Sequence, residues 1–337
     1  MVQALRQLEE RFGSLESLVD PSINAVATLN EKQVTATALE QLFAHKVSAV
    51  RVPNFFPKAA CDRLADTFLQ SRDHGWTQNW KVSSSRGMES SDVESIGSPY
   101  NVALGGGPEA LEQYFQDAKR LRNTLRQDGG RAMVGRTETP PPEHEAGNVS
   151  EWAFPTLTPI DLLRLQLDEV WPDGATVGKD RTSGRALLAG AGRIMSAGAN
   201  VGKDAGGGGL KYSKGFCHVD DLSVMSKKFG LFSANVYLQT PPFGGGELEI
   251  WPINIKNRFD FLRNSPTLSY LIDQDPAGQE ILRAKFPRPL VLTPEQGELI
   301  LICAQRPHAA AGFTNGTRVS MQTFISHDAG EPLVLDN

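Results

Sequence analysis

The stretch PEQGELILICAQRPHAAAGFTNGTRVSMQTFIS, residues 294–326, decides the fold. Two apolar runs of strand length, GELILICA and RVSMQTFIS, flank a segment holding Pro307, Gly312, Asn315 and Gly316. β-branched runs separated by such turn residues read as consecutive strands. The spacing predicts His308 at the end of the first strand and Arg318 on the second, ten residues further on.

The same pattern continues upstream. RALLAGAGRIMSAG (185–198), LFSANVYLQT (231–240), GELEIWPI (246–253) and PLVLTP (289–294) are further short apolar runs between Gly, Pro and Asn. A partly helical insert at 254–289 interrupts them. The expected fold is α+β: a jelly-roll core over 181–330, with flanking helices packed on it.

Residues 1–180 read as mainly helical and as the source of a lid. Leu5, Leu8 and Phe12 lie at helical spacing. Pro57 opens the helix FPKAACDRLADTFLQS, and VSAVRVP before it reads as a strand ending at Pro53. PEALEQYFQDAKRLRNTLRQ (108–127) is a helix expected to stop at Gly129 and Gly130, and TPIDLLRLQLDEVWP is a shorter one. The proline-bearing segment 129–150 and the glycine run 206–209 read as exposed loops. Trp76, Trp80 and the Ser/Gly-rich segment 81–104 are candidates for a lid, with a plain surface loop as the simpler reading.

Composition bounds the function. The 337 residues carry a net charge of −5, with 40% hydrophobic and 22% charged residues. That suits a large buried core and lacks the basic excess of a nucleic-acid binder. The expectation is no nucleic-acid and no membrane partner, since no uncharged run approaches the ~20 residues of a membrane span. Three dispersed cysteines, Cys61, Cys217 and Cys303, suggest a reducing compartment, and the N-terminus has no signal-peptide core. A cytoplasmic protein is expected.

The chemistry concentrates in GFCHVDDL, where His218 and Asp220 are two residues apart. On a strand such residues share a face, so an imidazole and a carboxylate can reach one ion. Adding the distant His308 gives two histidines and one carboxylate, the facial donor set suited to non-haem iron(II). Arg318 can turn back beside the metal and pair with a carboxylate through both prongs of its guanidinium. The residues alone leave other readings open: a cupin-like binding protein without catalysis, a metal hydrolase with the same ligands, or an oxygenase acting on a protein or peptide residue. A hydrolase would not need Arg318 at that place.

His218-Val219-Asp220, the run SANVYLQTPPFGGGELEIW and the 294–325 ending together resemble the iron(II)/2-oxoglutarate-dependent dioxygenases with a double-stranded β-helix core. The resemblance covers Ala186 to Ser326. It implies that His218, Asp220 and His308 bind Fe(II). It implies that Arg318 holds the distal carboxylate of the co-substrate 2-oxoglutarate, and that O2 is consumed. Ser320, on the same strand face as Arg318, is a candidate for a further bond to the co-substrate, as are Asn235 and Tyr237, which share a face with Ser233. Arg193 is a candidate for the cavity wall, although a solvated strand-edge charge is the simpler reading of it. VRVPNFFPKAACDRLADTF and SPYNVALGGGPEALEQYF are similar to the small-metabolite hydroxylase and halogenase subgroup. Halogenases carry Gly or Ala where this chain has Asp220, so the resemblance implies hydroxylation of a small-molecule substrate. Cys217 and Tyr237 also have bland readings as packed core residues, and His144 and His327 as exposed ones.

Overall fold

In the computed structural model, residues 3–337 are described apart from 134–156, 198–214 and 221–229 and short gaps at 5–6, 8–9, 12–14, 21–24, 31, 85–86 and 274–275. The 129–150 loop lies largely, and the 206–209 loop wholly, outside the described residues. The strands are β1 (Val26–Thr28), β2 (Ala49–Val52), β3 (Gln78–Ser84), β4 (Gly87–Ile96), β5 (Ala175–Val177), β6 (Ala191–Ser196), β7 (Gly230–Gln239), β8 (Leu248–Ile250), β9 (Leu290–Leu292), β10 (Leu299–Cys303), β11 (His308–Ala310), β12 (Thr317–His327) and β13 (Leu333–Asp336). Ten form one sheet in the order β1-β2-β10-β7-β12-β6-β4-β3, with β13 on β12 and β5 on β13. The other three form a small sheet, β11-β8-β9.

The period-2 pattern explains how the large sheet comes to have two unlike faces. Phe232, Ala234, Val236 and Leu238 of β7, Leu299 and Leu301 of β10, and Val319, Met321 and Ile325 of β12 all enter the main apolar core. That face is covered by helices: α1 (Ala36–Phe43), α2 (Lys58–Asp73), α3 (Tyr100–Gly105), α4 (Pro108–Met133) and α5 (Pro159–Val170). α2 buries Cys61, Ala65 and Phe68, at helical spacing. Phe68 comes so close to β6 that a Cβ at Gly192 would lie 3.0 Å from its ring. Each helix start has a local cause. Pro57 precedes α2, and Thr158 forms a capping box with Asp161 ahead of α5.

The opposite face carries the alternate residues. Tyr237, Ile300 and Ile302 pack with Leu248, Ile250 and Leu292 of the small sheet. Arg193, Ser320, Gln322 and Asn235 lie on this face in register with one another. The large sheet thus has an apolar side under helices and a partly polar side that shares a core with the small sheet.

Three expectations need correction. α4 runs through Gly129 and Gly130 to Met133. Each glycine costs a helix only about 1 kcal/mol, and Tyr114, Phe115, Ala118, Leu121 and Leu125 anchor the preceding turns in the core. The first 180 residues are helical but also supply β1 to β5 to the large sheet, so its strands come from both sides of residue 180. Segment 81–104 is not a loop: β3 and β4 form a hairpin that continues the sheet from β6, and α3 follows. Its polar sequence has no strand alternation. The free edge of β6 supplies the pairing, a tertiary effect that outweighs weak local propensity.

The insert forms α6 (Arg258–Arg263), α7 (Ser265–Leu268), α8 (Tyr270–Asp273) and α9 (Pro276–Lys285). Leu268, Leu271, Leu282 and Phe286 pack with Cys217, Val219, Trp251 and Ala309 in a second core. The insert therefore supports the segment that carries His218. No helix among the described residues is long and apolar enough to cross a membrane.

Candidate metal centre

His218 and His308 face each other across a short antiparallel bridge. His218 N donates to His308 O at 3.0 Å and His308 N to His218 O at 2.9 Å. Residues directly opposite in such a pair send their side chains to the same face, and the two rings lie 4.5 Å apart. Asp220, two residues on, shares that face, and its amide is anchored on Ala304 O at 2.9 Å. One ligand atom from each of the three residues lies within 4.8 Å of the others. His308 is not at the end of β10, as the sequence suggests, but opens β11 in the small sheet. The turn at Gln305-Arg306-Pro307 carries the chain from one sheet to the other.

The imidazoles are oriented alike. His218 Nδ1 bonds Phe216 O at 3.1 Å and His308 Nδ1 bonds Arg306 O at 2.8 Å. A carbonyl only accepts, so each Nδ1 carries a proton and each Nε2, which points to the shared space, is the nitrogen that could ligate an ion. The two Nε2 atoms stand 3.5 and 3.3 Å from the Asp220 carboxylate. Two Nε2 atoms and a carboxylate converging on one point, with both outer nitrogens held by backbone, fit a divalent ion.

Electrostatics agree. Burial opposes the Asp220 charge, but His308 and His218 outweigh it and hold the carboxyl well below its usual range. Burial likewise opposes protonated His308, yet Asp220 raises its pKa above the ordinary 6.5. An ion and a proton compete for the same His308 nitrogen. Metal affinity should therefore fall as pH is lowered, with proton release on binding. Isothermal titration with Mn(II) in buffers of different ionisation heat measures this; a pH-independent affinity would contradict it.

The His218 segment has a support that the sequence does not reveal. Gln279 of α9 accepts from Cys217 N at 2.7 Å and donates to Cys217 O at 2.8 Å, while Arg283 donates to Gly215 O at 2.9 Å. Gly215 itself has φ +68° and lies so close to β11 that a Cβ would sit 1.9 Å from Ala310 O. Only glycine suits both conditions. Replacing Gln279 with Ala leaves two backbone groups of a fully buried residue without partners, a cost of about 1–3 kcal/mol each. The variant should melt several degrees lower and bind Mn(II) about 10–100-fold more weakly, as outer-shell changes do. Unchanged affinity would show that the pairing does not position His218.

Arg318 lies on β12, where its guanidinium donates to Gly246 O at 2.9 Å and contacts Met195 Sδ at 2.7 Å. Neither partner is an anion. Burial lowers its pKa, and Tyr237 and Glu247 offset part of that. The Tyr237 ring is 5.9 Å from the guanidinium, and buried Ser320 is Tyr237's register partner. Asn235 is placed differently: its amide donates to Ser233 Oγ at 3.0 Å, which also accepts from Gln322 at 2.9 Å.

Arg193 is not a strand-edge charge, because β6 is paired on both sides. The charges acting on it are Asp220 and Arg318. His327 is not free in solvent either: its ring stacks on Phe43 at 4.6 Å and meets Trp171 edge-on. Cys217 is fully buried, while His144 falls outside the described residues. A separate groove, lined by Ser71, Trp76, Asp117 and Thr124, shares no residue with this centre.

No family model matches the chain, and no curated protein matches it. Solved structures do. An N-substituted L-amino acid dioxygenase from Burkholderia ambifaria is 16% identical, covering 90% of this chain and 91% of that one at TM-score 0.46. The alpha ketoglutarate dependent carbocyclase SnoK of nogalamycin biosynthesis is 11% identical over 89% and 87%, at 0.44. A 2OG-Fe(II) oxygenase family protein from Burkholderia pseudomallei is 13% identical over 91% and 99%, at 0.37. Proteins of the superfamily that the sequence resembles are thus among the similar structures.

Proposed function

We propose that this chain is an iron(II)- and 2-oxoglutarate-dependent oxygenase that hydroxylates a small metabolite, on a double-stranded β-helix core spanning 181–330. The observation that carries the reading is the convergence of His218, Asp220 and His308, with both Nε2 atoms turned to the Asp220 carboxylate, on a fold that also buries the Arg318 guanidinium without an ion pair among the described residues.

In this reading His218, Asp220 and His308 would hold iron(II). Iron(II) and 2-oxoglutarate together supply the activation of dioxygen, which oxidises a substrate C–H bond while 2-oxoglutarate becomes succinate and carbon dioxide. The protein's part is binding and orientation. Arg318 receives the distal carboxylate of 2-oxoglutarate, replacing its weak thioether contact with a charge-assisted pair. Ser320 and Tyr237 border that end and are candidates for one further bond, whereas Asn235 is held back by Ser233. The backbone carbonyls of Phe216 and Arg306 fix the tautomers of the two histidines. Asp220 fills the position that a halide would need, which favours hydroxylation. The N-terminal region, 1–180, closes the site through the β3–β4 hairpin, which brings Trp80 to Arg193.

Succinate release tests the reading. Purified protein with Fe(II), ascorbate, 2-oxoglutarate and oxygen should form succinate slowly even without its substrate, and His308→Ala should form none. Absence of succinate in both, from protein that binds the metal, would reject the oxygenase.

A further inference from the structure

Arg193 is the charged group at this centre to which the proposed reaction gives no role. It sits in the middle of the polar face, opposite Ser320 of β12 and Ser95 of β4. Its Nε is closed off from solvent and has no hydrogen-bond partner among the described residues. The Trp80 ring lies 3.9 Å from the guanidinium carbon. A ring stacked on one face fixes the plane of the fork and leaves its in-plane N–H groups for a ligand.

The electrostatic setting of Arg193 is unbalanced. Burial is the largest influence and pulls its pKa down to about 10, so it remains charged at neutral pH. Asp220 is the anion acting on it, and Arg318 repels it. A metal ion on Asp220 would take up that carboxylate, leaving Arg193 and Arg318 as two cations in one water-poor region. Such an arrangement is costly unless each finds an anion. The distal carboxylate of the co-substrate supplies one for Arg318.

We propose that Arg193, backed by Trp80, anchors a carboxylate of the primary substrate, so that the enzyme takes acidic small molecules. The inference rests on the oxygenase reading for the identity of the cavity. A carboxylate fits better than a phosphate. One planar fork matches two oxygens and one charge, and the residues opposite Arg193 on both neighbouring strands are neutral serines. The position also suits orientation, since an anchor within electrostatic reach of the triad would hold a substrate C–H near the ion.

The test uses the full chain loaded with Mn(II) and 2-oxoglutarate, which binds without turnover. The probes are benzoate, hexanoate and N-acetyl-leucine, each compared with its carboxamide. Binding is followed by thermal melting and by tryptophan fluorescence, with Trp80→Phe identifying the signal from the stacked ring. At least one carboxylate should bind about tenfold or more tightly than its amide. Arg193→Gln should abolish that preference, Arg193→Lys should keep part of it, and 2-oxoglutarate affinity should change less than about threefold in both. Equal binding of acids and amides, or no binding of any probe, would overturn the proposal. So would an Arg193→Gln variant that loses 2-oxoglutarate instead, which would give Arg193 to the co-substrate. Failure of the parent protein to bind Mn(II) and 2-oxoglutarate appears in the loading step and counts against the oxygenase reading. The same probes on metal-free protein then still report on Arg193.

Discussion

Arg318→Ala should lose 2-oxoglutarate binding almost completely, with affinity falling more than about 100-fold. Removing one partner of a desolvated ion pair typically costs about 3–5 kcal/mol, because the remaining charge is left without compensation. Here the stranded group would be the distal carboxylate, beside Met195 Sδ and Gly246 O, which cannot neutralise it. Arg318→Lys keeps the charge but loses the planar fork, so its Michaelis constant for 2-oxoglutarate should rise steeply while some turnover survives at saturation. Neither change should unfold the protein, since Arg318 is only partly buried and has no ion pair among the described residues to break. Anaerobic titration of each variant with 2-oxoglutarate in the presence of Fe(II) measures the effect. Parent-like affinity in the Ala variant would remove Arg318 from the site.

Asp220→Gly should abolish hydroxylation mainly by losing the metal. The carboxylate is the one anionic member of the triad, and changing even an outer-shell partner costs about 10–100-fold in metal affinity, so direct ligand loss should cost at least about 100-fold. Asp220→Asn separates shape from charge: it keeps the size and should lose nearly as much. His308 should respond as well, because Asp220 is what raises its pKa, so in either variant that pKa should fall. Metal content after dialysis and the His308 NMR titration check both statements. Full hydroxylation by the Gly variant would show that Asp220 is not a ligand.

What the sequence disclosed, and what it hid, follows from the range of each physical signal. β7, β10 and β12 were legible because both their faces are packed, so that each reads as a largely apolar run of strand length. The His-x-Asp pair was legible because strand geometry alone puts two such side chains on one face. The partnership of His218 with His308 depends on a single bridge between distant segments, which no local pattern encodes. The place of Arg193 was hidden for the same reason: only pairing with β4 makes β6 an interior strand. Gln279 reads as an ordinary polar helical residue until its amide is seen against the Cys217 backbone. Gly215 left a faint trace, a glycine three residues before a candidate ligand, but its meaning lies in the approach of Ala310 O. Gly129 and Gly130 misled because propensity is a weak bias beside an already anchored helix.

One divalent ion should sit among His218, Asp220 and His308, with 2-oxoglutarate reaching from it to Arg318. A crystal structure of the protein with Mn(II) and 2-oxoglutarate, with the ion located by its anomalous signal, tests this most directly. One strong peak is expected at about 2.0–2.2 Å from both Nε2 atoms and a carboxylate oxygen of Asp220, together with a two-pronged contact between Arg318 and the distal carboxylate. An ion bound elsewhere, or 2-oxoglutarate lying away from Arg318, would contradict it.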